Sequence, residues 1–261
     1  MFPHEFYNIN NIKVHYKKRG SGDAFILLHG ISDSSNFWKP LTTNFLRIFN
    51  TTTPDLRGYG ESSTDVQLSI ELLTEDLNLL LEKLDIKMAH ILGFSMGSLV
   101  AQNLCLEFPE KVKSLIICSG YCRSTEEISK QFKDLEKTTS NGGVSAFFDE
   151  MIRLVYTPEY LSNHQEYYKF KEQAVEMNSK EIIIQSLRSC RNFDVKNRVN
   201  EIDVPTLILC GSEDGLVSSE NSLILNHNIS NSRLHTFPNT GHNIFLPSNM
   251  SKIASEIENF I

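Results

Sequence analysis

The sequence predicts an α/β fold: a mostly parallel sheet flanked by helices, with a helical cap inserted into it. Three patterns carry this expectation. Short apolar runs alternate with helix-patterned stretches between Ala24 and Cys118. Residues 121–200 show helical spacing and no convincing buried strand. Strand-type pattern then returns at Pro205–Cys210 and Arg233–Phe237. Strands alternating with helices at this pace imply a parallel sheet, because a helix must carry the chain back before the next parallel strand can pair.

Taken in order, Phe6–Asn10 and Ile12–Lys17 read as two strands joined by a tight Asn turn, and Arg19–Asp23 as a loop. Ala24–His29 is continuously apolar, as expected of a strand buried on both faces. Thr51–Asp55 is a further strand. In Leu68–Leu84, the residues Leu73, Leu77, Leu80, Leu81 and Leu84 share one helical face. Ala89–Phe94 is a short strand, Met96–Glu107 a helix with Leu99, Val100 and Leu104 inward, and Lys113–Cys118 the next strand.

From Tyr121 to Asn200, Ile128, Phe132 and Leu135 make one helical stripe and Phe148, Met151, Ile152 and Val155 another. Gly142-Gly143 and Thr157-Pro158 separate the helices. The expected organisation is a core formed by residues 1–120 and 201–261, with residues 121–200 as a cap over the working edge of the sheet. The last helix, Met250–Ile261, carries Ile253, Ile257 and Phe260 on one side.

Composition narrows the function. The 261 residues include 40% apolar and 22% charged ones, enough for a sizeable core in an ordinary globular chain. A net charge of −7 with no Lys/Arg run speaks against nucleic acid as a partner. No apolar stretch approaches the roughly 18 to 20 residues needed to span a bilayer. No basic segment followed by an apolar one opens the chain, so no signal peptide is expected. The five cysteines are an odd number without zinc-type spacing. They read as buried thiols, with no metal site, in a reducing, cytoplasmic setting. The oligomeric state is left open.

The most informative stretch is Gly93-Phe94-Ser95-Met96-Gly97, a G-x-S-x-G motif between an apolar strand and an amphipathic helix. That placement presents a serine on a strained strand-to-helix turn, with glycines allowing strand and helix to approach closely. The hydroxyl needs an adjacent base to become a nucleophile. The N–H of Met96, at the helix start, points where an oxyanion would form.

Such a motif sets the chain order Ser, acid, His. His242, in the loop Asn239–Asn243 between the last strand and the last helix, is the expected base. His164, His227 and His235 fall in the cap, in a polar helix or loop, and in a strand, and are expected to be structural. The acid belongs in the loop after Pro205–Cys210, where Glu213 and Asp214 are adjacent. Asp214 is the assigned member, with Glu213 a solvated neighbour.

These residues resemble the α/β-hydrolase superfamily nearly end to end. Leu27-Leu28-His29-Gly30, with Trp38 eight residues after Gly30, is similar to its oxyanion-loop motif. Pro54–Ser62 is similar to its structural D-x-R-G-x-G-x-S block, and Gly211-x-x-Asp214 and Gly241-His242 complete the set. The resemblance implies an eight-stranded sheet, the Ile31 N–H as second oxyanion donor, and structural roles for His29 and Arg57. It implies no cofactor. Two departures are Phe94 before the serine, where relatives often carry His or Asn, and Ser98 after the elbow, where many carry Gly. Serine as the nucleophile argues against haloalkane dehalogenases and epoxide hydrolases, whose elbows carry Asp.

The implied activity is hydrolysis of a small or medium apolar ester, thioester or lactone. Among the aromatics of the cap and the loop below it (Tyr121, Phe147, Phe148, Tyr156, Tyr167, Tyr168, Phe193, Phe37, Trp38), the substrate-binding candidates are Trp38, Tyr121, Phe148, Tyr156 and Phe193. A haloperoxidase-like enzyme, a carbon–carbon hydrolase, a lyase or a ligand-binding receptor on the same scaffold are the alternatives.

Overall fold

The computed structural model describes residues 5–164 and 167–261, with the side chains of 167–170 outside that description. Eight strands form one sheet in the order β1-β2-β4-β3-β5-β6-β7-β8. They are β1 (Glu5–Ile9), β2 (Ile12–Gly20), β3 (Asp23–Leu28), β4 (Phe49–Pro54), β5 (Ala89–Phe94), β6 (Val112–Cys118), β7 (Thr206–Gly211) and β8 (Ser232–Phe237). The first hairpin and the β2/β4 pairing are antiparallel, and every later pair is parallel.

The central strands are apolar on both faces because both are covered. Phe25 and Leu27 of β3 point into a core with Trp38, Leu41, Phe45 and Ile253, while Ile26 and Leu28 point into the opposite core with Leu73, Leu77 and Leu99. This two-residue alternation distributes one continuous apolar run between two helix layers. The helices are α1 (Lys39–Phe45), α2 (Ile70–Lys83), α3 (Met96–Glu107), then α4 (Glu126–Val155), α5 (Pro158–Asn163), α6 (Tyr167–Met177) and α7 (Lys180–Asn192), and finally α8 (Ser219–Asn228) and α9 (Met250–Phe260).

Among the described residues between β6 and β7, the regular elements are helices apart from an isolated bridge pairing Arg123 with Asp194, which draws the two ends of the segment together. Gly143 (φ 71°) breaks α4 where sequence places a separator. The stripe Ile128–Phe132–Leu135 packs with Ile182, Ile183 and Leu187 of α7, and this cluster is continuous with the core above the sheet. The chain order reverses at β3, which has β4 on one side and β5 on the other. Loops leaving β3 and β5 therefore diverge and open a crevice at their carboxyl ends, where ligands bind in open α/β sheets.

Candidate active site

Ser95 stands alone between the end of β5 and the start of α3, at φ 53° and ψ −120°. A residue with a side chain rarely adopts this conformation, and such strain is held only when the surroundings over-determine it. The glycines make the turn that tight. A Cβ on Gly93 would lie 2.2 Å from the Gly97 carbonyl oxygen, and one on Gly97 would lie 2.3 Å from that of Leu28. The Ser95 N–H donates to the Cys118 carbonyl at 3.0 Å, tying the turn to β6. Ser98, one of the two departures from the family pattern, turns its hydroxyl back onto the Ser95 carbonyl at 2.6 Å, and Gly120 leaves the room it occupies.

His242 Nε2 is 2.9 Å from Ser95 Oγ, and its Nδ1 is 2.8 Å from Asp214 Oδ2. Asp214 Oδ1 accepts from the N–H groups of Leu216 and Val217 at 2.9 and 2.8 Å. A carboxylate so placed only accepts, so the His242 proton sits on Nδ1 and Nε2 is left to accept from the serine hydroxyl. Asp214 and His242 are buried, whereas Glu213 is exposed, which separates the two adjacent carboxylates that sequence leaves together.

Two supports have no local sequence signal. The Ser119 hydroxyl donates to the His242 carbonyl at 2.7 Å. Asn243 donates its N–H to the Val155 carbonyl at 3.1 Å and its Nδ2–H to the Tyr156 hydroxyl at 2.9 Å, so the end of α4 docks on the histidine loop.

Four other described histidines lie outside this line. His29 Nδ1 donates to the Gly30 carbonyl at 2.8 Å while its Nε2 accepts from the Leu56 N–H at 3.0 Å. With both nitrogens used and burial pushing its pKa down, it is a neutral loop brace. His235 faces Glu256 at 3.4 Å, His227 is exposed, and His164 stacks on Tyr160. The Arg57 guanidinium makes a two-point bridge to Asp76 at 2.7 and 2.8 Å, buried and away from the serine. Asp55 binds His15 and the N–H groups of Ser35 and Glu61. Burial disfavours its charge, yet these donors hold its carboxyl below the usual carboxylate range.

A cavity of about 420 Å³ opens over Ser95 and His242. On one side Phe94, Phe37 and Phe245 pack together, with Phe37 stacked on Phe94 at 5.2 Å and Phe245 edge-on to it at 5.4 Å. On the other side the helical segment contributes Phe132, Phe148, Met151, Ile152 and Tyr156. The loop after β3 contributes Ile31, Ser32 and Asp33. Asp33 has no hydrogen-bond or ion-pair partner among the described residues, and burial pushes its carboxyl up to about 7.

Of the aromatics expected at the substrate, Phe148 and Tyr156 line the cavity as half-buried side chains. Trp38 also borders it, but at 1% exposure it backs the wall behind Phe37 and Phe245 rather than facing the space. Tyr121 and Phe193 correct the expectation. The Tyr121 hydroxyl donates to the Cys190 carbonyl at 2.6 Å, and its ring meets Phe193 edge-on at 6.2 Å. Both are buried beneath the helical segment, where the tyrosine has found an internal acceptor, and neither reaches the cavity. Tyr167 and Tyr168 lie outside the residues whose side chains are described. The five thiols are buried and unpaired. Among the described residues, no group of three His, Cys, Asp or Glu side chains is arranged to hold a metal ion, and no helix is long and apolar enough to cross a membrane.

A family model described as alpha/beta hydrolase fold matches residues 23–248. The "Putative carbamate hydrolase RutD" of Azorhizobium caulinodans is 24% identical over 224 residues, covering 85% of this chain and 84% of that protein. Among solved structures, the α/β hydrolase enzyme MGS-M2 from a Medee basin deep-sea metagenome library superposes with a TM-score of 0.91 at 22% identity, covering 98% of this chain and 96% of that one. The enol-lactonase from Burkholderia xenovorans LB400 superposes with a TM-score of 0.90 at 19% identity, covering 98% and 99%.

Proposed function

The chain belongs to the α/β-hydrolase fold family, and from that premise we propose that it is a serine hydrolase cleaving a small or medium ester, thioester or lactone through an acyl-enzyme. The observation that carries this reading is the unbroken hydrogen-bonded line Asp214–His242–Ser95, opening into a largely apolar cavity.

Substrate seats its carbonyl carbon over Ser95 Oγ. His242 Nε2 takes the hydroxyl proton as the oxygen attacks, and the ionised Asp214 stabilises the imidazolium without taking that proton. The N–H groups of Ile31 and Met96 hold the oxyanion. Gly30 supports this placement of the loop, since a Cβ there would stand 3.2 Å from the Ser95 Cβ. Each such donor is typically worth about 3 to 4 kcal/mol in the transition state. The tetrahedral intermediate collapses, and the leaving oxygen or sulfur departs with the proton from His242. Water, deprotonated by the same nitrogen, then releases the acid and restores the serine.

The helical segment acts as a cap that closes the cavity from above, and its apolar wall selects an apolar acyl or alcohol part. The names borne by relatives, carbamate hydrolase and enol-lactonase, are both compatible with attack on an acyl carbon. Turnover of p-nitrophenyl acetate is expected from the parent, with kcat/KM falling at least about 10³-fold in Ser95→Ala. Equal turnover by both proteins would remove the serine from the mechanism.

A further inference from the structure

We infer that Asp33 is a substrate-recognition group, and that the substrate carries a nitrogen–hydrogen donor, an amide N–H or an ammonium, on the part that lies along the loop after β3. This rests on the reading of the cavity as an acyl-transfer site and specifies which acyl compounds it takes.

The backbone that carries this carboxyl is fixed. Ser32 is in the left-handed region at φ 65°, the Asp33 N–H turns back toward the Gly30 carbonyl at 3.4 Å, and Asn178 Nδ2 donates to the Ser32 carbonyl at 3.3 Å. The loop is thus fixed from below by its own turn and from above by the chain entering α7. Asp33 lines the same cavity as Ser95.

Most other polar side chains around the cavity are already engaged. Lys171 is bonded to Asp149 at 2.6 Å, and Tyr156 and Asn243 are bonded to each other. Asp33 alone presents a carboxylate with nothing to accept from among the described residues. A half-buried carboxylate left this way is costly, and burial raises its pKa accordingly. A donor brought by the substrate removes that cost. Asp33 is not part of any three-residue group able to hold a metal ion among the described residues, so a divalent cation is a poor match. A carboxylate accepts most strongly from a polarised or charged N–H, and the apolar remainder of the cavity suits the hydrocarbon that joins this donor to the carbonyl.

Sites that hydrogen-bond a substrate group reject the analogue lacking it far more sharply than apolar pockets reject a methylene, because their own polar group is left unpaired. The test uses methyl esters of N-acetyl amino acids with one to five methylenes between nitrogen and carbonyl. Each is paired with the ketone isostere in which CH2 replaces N–H, and methyl 6-aminohexanoate is paired with methyl heptanoate. The readout is the ratio of kcat/KM within each pair, in the parent, Asp33→Asn and Asp33→Leu. Dissociation constants of the same pairs on Ser95→Ala are measured by calorimetry, and circular dichroism melts check that each variant is folded.

The parent prefers the N–H partner at least about 10-fold at one or more spacings, chiefly through KM, and the Ser95→Ala protein shows the same preference in binding. Asp33→Leu brings every ratio to within about twofold of unity. Asp33→Asn retains part of the amide preference through its carbonyl and loses the ammonium preference. A parent with no preference at any spacing, or a preference that survives Asp33→Leu, overturns the inference. Absence of all turnover with the binding preference intact overturns the acyl-transfer reading and leaves the recognition role standing.

Discussion

Asp214 and Glu213 are chemically interchangeable as partners for an imidazole, and chain order alone does not separate them. Separation comes from the turn: the N–H groups of Leu216 and Val217 both point at Asp214 Oδ1, leaving Oδ2 for His242, while Glu213 faces solvent. Asp214→Asn is therefore expected to lower kcat on p-nitrophenyl acetate by about 10³- to 10⁴-fold, because an amide N–H facing Nδ1 selects the wrong tautomer. Glu213→Gln should stay within about twofold, and steady-state kinetics of the two variants side by side checks the assignment. Ser95, Asp214 and His242 were legible in sequence because a nucleophile elbow has a local signature and fixes the order of its partners. Ser119 was not, since its bond to the His242 carbonyl joins residues 123 positions apart with no pattern of their own. Tyr121 and Phe193 show the converse difficulty: buried core and cavity wall both ask for aromatic residues, and sequence cannot tell which face is empty.

At the scale of elements, the strands and the helices α2, α3, α4 and α9 were readable from periodicity, with boundaries shifted by one to three residues; β2 runs on to Gly20, into the expected loop Arg19–Asp23, and α5, α6 and α7 were read only as parts of a mostly helical segment. Two helices outside that segment were less visible. The helix α1 (KPLTTNF) is short, and its core contact rests on Leu41 and Phe45 rather than on a repeating stripe. In α8, apolar and polar residues are distributed round the axis, so Leu223 and Ile224 remain exposed. The block following β4 was legible as a motif, and its mechanics are now explicit: Arg57 clamps α2 through Asp76 and the Gln67 carbonyl. Removing one member of a buried ion pair strands the other charge, so Arg57→Ala should cost about 3 to 5 kcal/mol in urea unfolding. Arg57→Leu combined with Asp76→Leu should cost less than that single change, and a loss below 1 kcal/mol for Arg57→Ala would show that the clamp is dispensable.

For the molecule as a whole, a buried and a half-buried carboxylate pull pH stability in opposite directions. Asp55, held below the usual carboxylate range by His15 and two backbone donors, contributes stability above the unfolded pKa of about 4 that is lost as pH falls. Asp33, pushed up to about 7 from 3.8, does the reverse. Below about pH 4 it is neutral whether the chain is folded or not. Between 4 and 7 only the unfolded chain ionises it freely, so folding loses stability, and above 7 the full penalty applies. Asp33→Asn is accordingly expected to match the parent at pH 4 and to exceed it by about 1 to 3 kcal/mol at pH 8 in chemical denaturation. Tyr59, Tyr156, Lys171 and His242, the other titratable groups around that carboxyl and its cavity among the described residues, are present in both proteins. A variant that gains stability while losing substrate selectivity is the pattern expected of a residue kept for function.

The account as a whole depends on Ser95 being a nucleophile activated by His242. Intact-mass spectrometry after treatment with a fluorophosphonate, followed by peptide mapping, measures this directly. The account predicts one covalent adduct on Ser95 in the parent, none in Ser95→Ala, and labelling slowed by orders of magnitude in His242→Ala. An unlabelled parent, or an adduct that persists when Ser95 is replaced, would contradict it.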